Sequence, residues 1–241
     1  MCIEDIQVHV RRTQGLSVGV LSSLRLAKQF DAFVTGVFVV PFDRPQAFVM
    51  AEAVAMEVLS SLREFEKAQS YDTWWTDILS EHGVRGQWRS AQGDAVDVLA
   101  YNSRFTNLVV TEISPMDTDA PLGWGVVERL VFGVSAPVLI VPDVPMLPTI
   151  GERILIAWNG SAEAARAVHA AMPLLKQAKY IVVLRGEEKP QSSDIKQVPA
   201  LTLEAYFEQH GVNATYRTFT TDAQSAGASI LASARWEAAD M

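Results

Sequence analysis

His82-Gly-Val-Arg-Gly-Gln-Trp-Arg89 recurs 128 residues later as His210-Gly-Val-Asn-Ala-Thr-Tyr-Arg217. The histidine, glycine, valine and final arginine keep their places, and Trp88 is matched by another aromatic residue, Tyr216. In both stretches the glycine follows a helical pattern and the valine opens a strand. Glycine suits the left-handed position that ends a helix, and a histidine there complements the helix dipole. The match extends outward. Asp94 pairs with Asp222, Val98-Leu-Ala100 with Ile230-Leu-Ala232, and Ile6–Arg11 with Ile154–Asn159, now 148 residues apart. Several matches in one order, on the same kinds of element, point to an internal repeat.

Each copy alternates strands and helices. The first copy predicts strands at Ile6–Val10, Ala32–Val40, Val84–Arg89, Asn107–Ile113 and Pro137–Val141. Between them lie helices at Leu16–Phe30, Pro45–His82, Ala95–Ser103 and Gly123–Val134. Leu16, Val20, Leu24 and Ala27 fall on one helical face. Val54, Val58, Leu62, Phe65 and Ile78 do the same along the long stretch Pro45–His82, read here as one helical stretch. The second copy predicts strands at Ile154–Trp158, Tyr180–Leu184 and Val212–Phe219, and helices after Ser161, at Leu201–His210 and at Ala226–Trp236. Such alternation implies parallel strands joined by right-handed crossovers.

Pro142-Asp-Val-Pro-Met-Leu-Pro148 separates the copies, and its prolines favour a stiff, extended connector. The reading is a first domain over 1–143, a proline-rich linker over 144–151 and a second domain over 152–241. Val109–Pro142, 34 residues, has no counterpart after Met241. The second sheet is therefore expected to lack its last two strands, leaving Ile154–Trp158 as an apolar edge. The expectation is that the natural protein has a further tail.

Composition narrows the function. The 241 residues include 20 Lys plus Arg against 28 Asp plus Glu, a net charge of −8. An acidic chain gains little from phosphate neutralisation, so nucleic acid and anionic membrane surfaces are not expected partners. Cys2 is the only cysteine, which excludes an internal disulfide and a cysteine metal cluster. No histidine pair has metal-ligand spacing: His82 and His210 sit at helix ends, His9 in a core strand and His169 on a helix. No apolar run is long enough to span a bilayer. With no basic-then-apolar leader at the N-terminus, a cytoplasmic protein is expected.

Two segments carry a family resemblance. Ile154-Leu-Ile-Ala-Trp-Asn-Gly-Ser-Ala-Glu-Ala-Ala-Arg-Ala-Val168 resembles the opening of a universal stress protein domain, and Glu128-Arg-Leu-Val-Phe-Gly-Val-Ser-Ala-Pro-Val-Leu-Ile-Val-Pro142 its ending. Ala238-Ala-Asp-Met241 resembles the start of the fourth strand. The resemblance covers the chain as a tandem pair of the kind common in bacteria. It implies two doubly wound α/β domains with parallel five-stranded sheets of order 3-2-1-4-5. It also implies self-association, within the pair or as a homodimer.

Some members of that family bind ATP and others do not. The binding members carry an aspartate at the end of the first strand. After the fourth strand they carry Gly-x-x-Gly, nine residues, and then Gly-Ser/Thr. Glycines let backbone amides approach phosphate, and a helix N-terminus favours its charge. In the first copy Arg11 takes the aspartate position, Gly125 stands for the late glycine and Val126 replaces the hydroxyl residue. The segment from Glu112 to Gly125 lacks Gly-x-x-Gly and holds Glu112, Asp117 and Asp119, which repel phosphate. The first copy is thus degenerate.

In the second copy Asn159 takes the aspartate position and can hydrogen-bond a ribose or base. Gly160 and Ser161 then open a helix, and the same three residues also read simply as a turn and an N-cap. The resemblance implies an adenine nucleotide, ATP or a relative, for a completed second domain, and none tightly held by this chain.

The resulting readings are a nucleotide-responsive stress protein and a scaffold for dimerisation or docking. An enzyme is not expected. The chain lacks the Gly-x-Gly-x-x-Gly, Walker lysine and Gly-x-Ser-x-Gly signatures, and fold alone supplies no reaction. Trp74-Trp75 reads as two rings partly buried against their own domain, the alternative being a contact between the copies or between subunits.

Overall fold

The structure is a computed structural model that describes residues 2–41, 51–113, 125–142, 148–186, 202–219 and 225–241. The chain divides into two compact units, Cys2–Met146 and Leu147–Met241. Residues 143–147 of the proline-rich connector lie outside the described residues.

The first unit contains β1 (Asp5–His9), α1 (Val18–Phe30), β2 (Phe33–Val40), α2 (Ala51–Ser70), α3 (Asp72–His82), β3 (Arg85–Gln92), α4 (Ala95–Asn102), β4 (Leu108–Ile113), α5 (Val126–Gly133) and β5 (Val138–Pro142). The strands form one parallel sheet in the order β3-β2-β1-β4-β5. Ile6 is registered with Val34 on one side and Leu108 on the other, so β1 is central and β4 lies across a reversal of winding. Ile6 and Val8 are completely buried, as the apolar run requires of a strand covered on both faces.

The long stretch Pro45–His82 is not one helix. It contains two, α2 and α3, which break at Tyr71, whose backbone sits at φ −74° and ψ 0°. The expected apolar face is also only partly used. Ile78 is buried, while Leu62 is exposed and Val58 and Phe65 are half-buried. Val54 and residues 45–50 lie outside the described side chains. Helical periodicity persists through a one-residue break, which is why spacing alone merged the two.

The second unit contains β6 (Arg153–Trp158), α6 (Ala162–Leu175), β7 (Tyr180–Arg185), α7 (Leu203–Gln209), β8 (Thr215–Thr218) and α8 (Ala226–Trp236). Its parallel sheet is β6-β7-β8 among the described residues, repeating the arm β1-β2-β3 of the first unit. The strand expected over Val212–Phe219 shortens to four residues, Thr215–Thr218. On the other side of β6 the chain's last residues run alongside. The Asp240 amide donates to Arg153 O at 2.9 Å, and the Leu155 amide donates to Met241 O at 2.9 Å. In the first unit the Asn107 amide donates to Asp5 O at 2.8 Å, and Ile6 is registered with Leu108. Met241 therefore occupies the place of Leu108.

The repeat motif has one geometry in both units. Gly83 and Gly211 take left-handed conformations, at φ +64° and +70°, the first directly after α3 and the second one residue further on, past His210 at the end of α7. Val98-Leu99-Ala100 and Ile230-Leu231-Ala232 both fall on helices, but Leu99 is completely buried and Leu231 is 60% exposed. Asp94 caps α4, accepting from the amides of Val96 and Asp97. Its repeat partner Asp222 lies outside the described residues.

Both tryptophans of the pair pack within the first unit. Trp75 is completely buried, its ring against Gly36. Trp74 is half-buried, with Trp88 edge-on to it at 5.8 Å.

Candidate functional site

In an open α/β sheet, ligands bind beyond the carboxyl ends of the strands where the winding reverses. In the first unit that point lies between β1 and β4, and a cleft of about 400 Å³ opens beside it. The end of β1 contributes His9 and, just past it, Arg11; the end of β2 contributes Phe38 and Pro41. Glu64, Lys67 and Tyr71, at the junction of α2 and α3, form a further wall. Ala95 and Val126, the first residues of α4 and α5, complete it.

Arg11 and Val126, both placed here by sequence, thus line one cleft. Gly125 adjoins it as the N-cap of α5 and provides no side-chain cap. A Cβ at Gly125 would come within 2.6 Å of a Glu128 carboxylate oxygen, so that carboxylate lies beside the start of α5.

A second carboxylate governs α1. Glu112, at the end of β4, is buried and accepts the Gly19 amide at 2.6 Å. Gly19 is in the first turn of α1, where unpaired amides and the helix dipole favour negative charge. A Cβ at position 19 would meet Glu112 at 2.9 Å, so glycine is what lets the carboxylate approach. The sequence reading took Glu112 only as a charge repelling phosphate. Its pairing with α1 joins segments 93 residues apart, and no local pattern signals that. Asp117 and Asp119 lie outside the described residues. Lys67, Tyr71 and Glu64 were likewise not anticipated as cleft residues, because a surface helix gives no sign of which face looks onto a sheet end.

The second unit holds Asn159, Gly160 and Ser161 at the carboxyl end of β6. The three fold onto one another. Asn159 Oδ1 accepts the Ser161 amide at 3.1 Å, and Ser161 Oγ accepts the Ala164 amide at 3.2 Å. Gly160 lies between them at φ +71°, with open space where a side chain would stand. The turn and N-cap geometry is therefore present. The Asn159 amide nitrogen has no protein partner among the described residues, and it is a donor that an aspartate would not have. Nearby, Trp158, His169, Thr202 and Tyr206 line a smaller, mainly apolar hollow of about 160 Å³.

Among the described residues no group of three or more His, Cys, Asp or Glu could hold a metal ion. No helix among them is long and apolar enough to cross a membrane.

No protein-family profile matches the chain, and no curated protein matches its sequence. Solved structures do match. A universal stress protein from Archaeoglobus fulgidus DSM 4304 superposes over 97% of this chain and 82% of its own, with a TM-score of 0.66 at 16% identity. The chain has the universal stress protein fold. Universal stress protein UspA from Lactobacillus plantarum matches 58% of this chain and 99% of its own, with a TM-score of 0.48 at 12% identity. An Archaeoglobus fulgidus universal stress protein in complex with dAMP matches 58% of this chain and 99% of its own, with a TM-score of 0.36 at 14% identity.

Within the universal stress protein fold, the two units present opposite chemistry at the end of the first strand. Arg11 there is a fixed cation. Asn159 is neutral, with an oxygen spent on the turn and a nitrogen that donates to none of the described residues.

Proposed function

We propose that the protein acts by binding rather than by catalysis, as a universal-stress-protein-like stress-response protein of the tandem type. In this reading the second unit takes an adenine nucleotide at Asn159-Gly160-Ser161, and the first unit is its diverged partner. The observation that carries it is the Asn159 amide nitrogen, without a partner among the described residues, beside the N-terminus of α6 at the carboxyl end of β6. A donor there suits a ribose or base acceptor, and the helix start suits a phosphate. Among the described residues of the second unit no glycine-rich loop follows a fourth strand, and weak binding, in about the millimolar range, is the expectation.

Equilibrium dialysis against AMP tests the reading. Wild-type protein retains AMP with a millimolar dissociation constant, and Asn159→Ala loses about tenfold, the loss of a good hydrogen bond to a ligand. Absence of AMP retention, or equal retention by Asn159→Ala, removes the nucleotide from the account.

A second reading, a dimerisation or docking scaffold, is supported by α5. Phe132 is 77% exposed there and Val131 is 48% exposed, both apolar side chains on one short helix. Light scattering separates the readings: self-association lost in Phe132→Glu, with no AMP retention, favours the scaffold.

A further inference from the structure

We infer that the second unit carries a self-modification site: the Gly160 amide nitrogen attacks the Asn159 side chain and converts it to aspartate and isoaspartate, so that the neutral end of β6 becomes anionic. The inference stands apart from the nucleotide reading, because the reaction needs no ligand. Of the four asparagines in the chain, Asn159 alone precedes a glycine; Asn102, Asn107 and Asn213 precede serine, leucine and alanine. Two of those three are also held by the fold. Asn102 Nδ2 donates to Val98 O at 3.1 Å within α4, and Asn107 Oδ1 accepts the amides of Glu4 and Asp5.

The geometry of the turn leaves each reacting group available. Asn159 is half-buried and Gly160 exposed, so solvent reaches the junction. Gly160 has open space where a side chain would stand, so nothing crowds its nitrogen from that side. That nitrogen, the attacking group, donates to none of the described residues, and neither does Asn159 Nδ2, the leaving group. The carbonyl between them is polarised. Asn159 Oδ1 accepts the Ser161 amide at 3.1 Å, and the same donor stabilises the negative charge that develops on Oδ1 during attack. The step balances with water alone. Gly160 N loses its proton to hydroxide and bonds Asn159 Cγ; the Cγ–Nδ2 bond breaks, and the nitrogen leaves as ammonia with a proton from water. Water then opens the cyclic imide at either carbonyl, with no oxidation or reduction. Opening at the side-chain carbonyl gives aspartate, which keeps the acceptor for Ser161 and sets a charge where the start of α6 favours it. Opening at the backbone carbonyl gives isoaspartate, which inserts a carbon into the main chain ahead of the Ser161 cap.

Either product removes the Asn159 amide donor, so the second unit holds a slow, irreversible change of charge at the end of its first strand. The test incubates the whole folded chain in mildly alkaline buffer made with heavy-oxygen water and maps its peptides by mass spectrometry. The peptide holding Asn159 exchanges NH for a heavy solvent oxygen, and the peptides holding Asn102, Asn107 and Asn213 do so at least about tenfold more slowly. Because the fold leaves the junction open, conversion in the folded chain runs within about tenfold of the rate in the same chain unfolded in guanidinium chloride. Gly160→Ala slows conversion by about tenfold, a comparison made in the unfolded chain too, so that it does not depend on the variant folding. The inference is overturned if Asn159 converts no faster than the other asparagines, if the fold protects it by more than about tenfold, or if Gly160→Ala converts as fast as wild type.

Discussion

Asn107 and Asp240 perform the same task in the two units. Asn107 Oδ1 accepts the amides of Glu4 and Asp5 at 2.9 and 3.0 Å, where β1 begins. Asp240 accepts the amides of Glu152 and Arg153 at 3.2 and 2.9 Å, where β6 begins. Each side chain ties the entry of the first strand to the chain that runs beside it. Asp240 adds a bond from Thr149 Oγ1 at 2.6 Å. The equivalence places the repeat in hydrogen bonds, beyond letter matches.

Truncating either side chain strands two amides. Asn107→Ala is expected to cost about 1 kcal/mol, a typical net hydrogen-bond contribution, whereas Asn107→Asp keeps the acceptor and costs less. Urea denaturation measures the difference, and faster exchange of the Asp5 amide locates it.

Equivalent repeat positions differ sharply in burial. Leu99 packs against Val109, Val126 and Leu130 in the first unit's core, while Leu231 is exposed. Leu99→Ala is expected to cost about 2–5 kcal/mol, and Leu231→Ala to stay within about 0.5 kcal/mol. Denaturant unfolding of the two variants side by side gives the contrast.

The aromatic cluster leaves no room above β2. A Cβ at Gly36 would lie 2.9 Å from the Trp75 ring. Gly36→Ala therefore forces a fully buried indole to move, at about 1–3 kcal/mol. A lowered midpoint with a shifted tryptophan emission maximum is the expected result.

One ion pair gives the second unit a pH dependence. Burial pushes the Glu204 carboxyl up, but its backbone hydrogen bond and Arg185 together bring it below the ordinary value of 4.5. The folded-state pKa is thus depressed relative to the unfolded chain. Its stabilising contribution is complete above the ordinary value and disappears as pH falls through the folded one. The carboxylate is 43% exposed, so screening limits the pair to a fraction of a kcal/mol. Glu204→Gln should melt slightly below wild type near neutral pH, and the gap should close as pH falls below the ordinary carboxylate range. Tyr216, stacked with Arg185, shifts the other way: burial raises it, Glu204 raises it further, and Arg185 opposes both.

The repeated α/β plan was legible because apolar strands, capping residues and the His-Gly-Val junctions are local signals. Ser17 and Ser161 cap α1 and α6 by one mechanism, each accepting from the amide three residues on. The break at Tyr71 was hidden, since helical spacing continues across it. The long-range relationships were hidden too: Glu112 reaches Gly19, and Lys67 and Arg11 line one cleft, only after the sheet has formed. The substitution at Arg11 was visible as a departure from a nucleotide pattern, but its setting among Lys67, Tyr71 and an uncapped α5 needed the fold.

The central claim is that two units of one plan have diverged at the end of their first strand. The most direct test is an amide-resolved NMR titration with AMP, dianionic near neutral pH. The account predicts saturable shifts at Asn159, Gly160 and Ser161, absent in Asn159→Ala, with the amides of Arg11 and Val126 unmoved. Shifts centred on Arg11 and Val126, or none at Asn159-Gly160-Ser161, would contradict it.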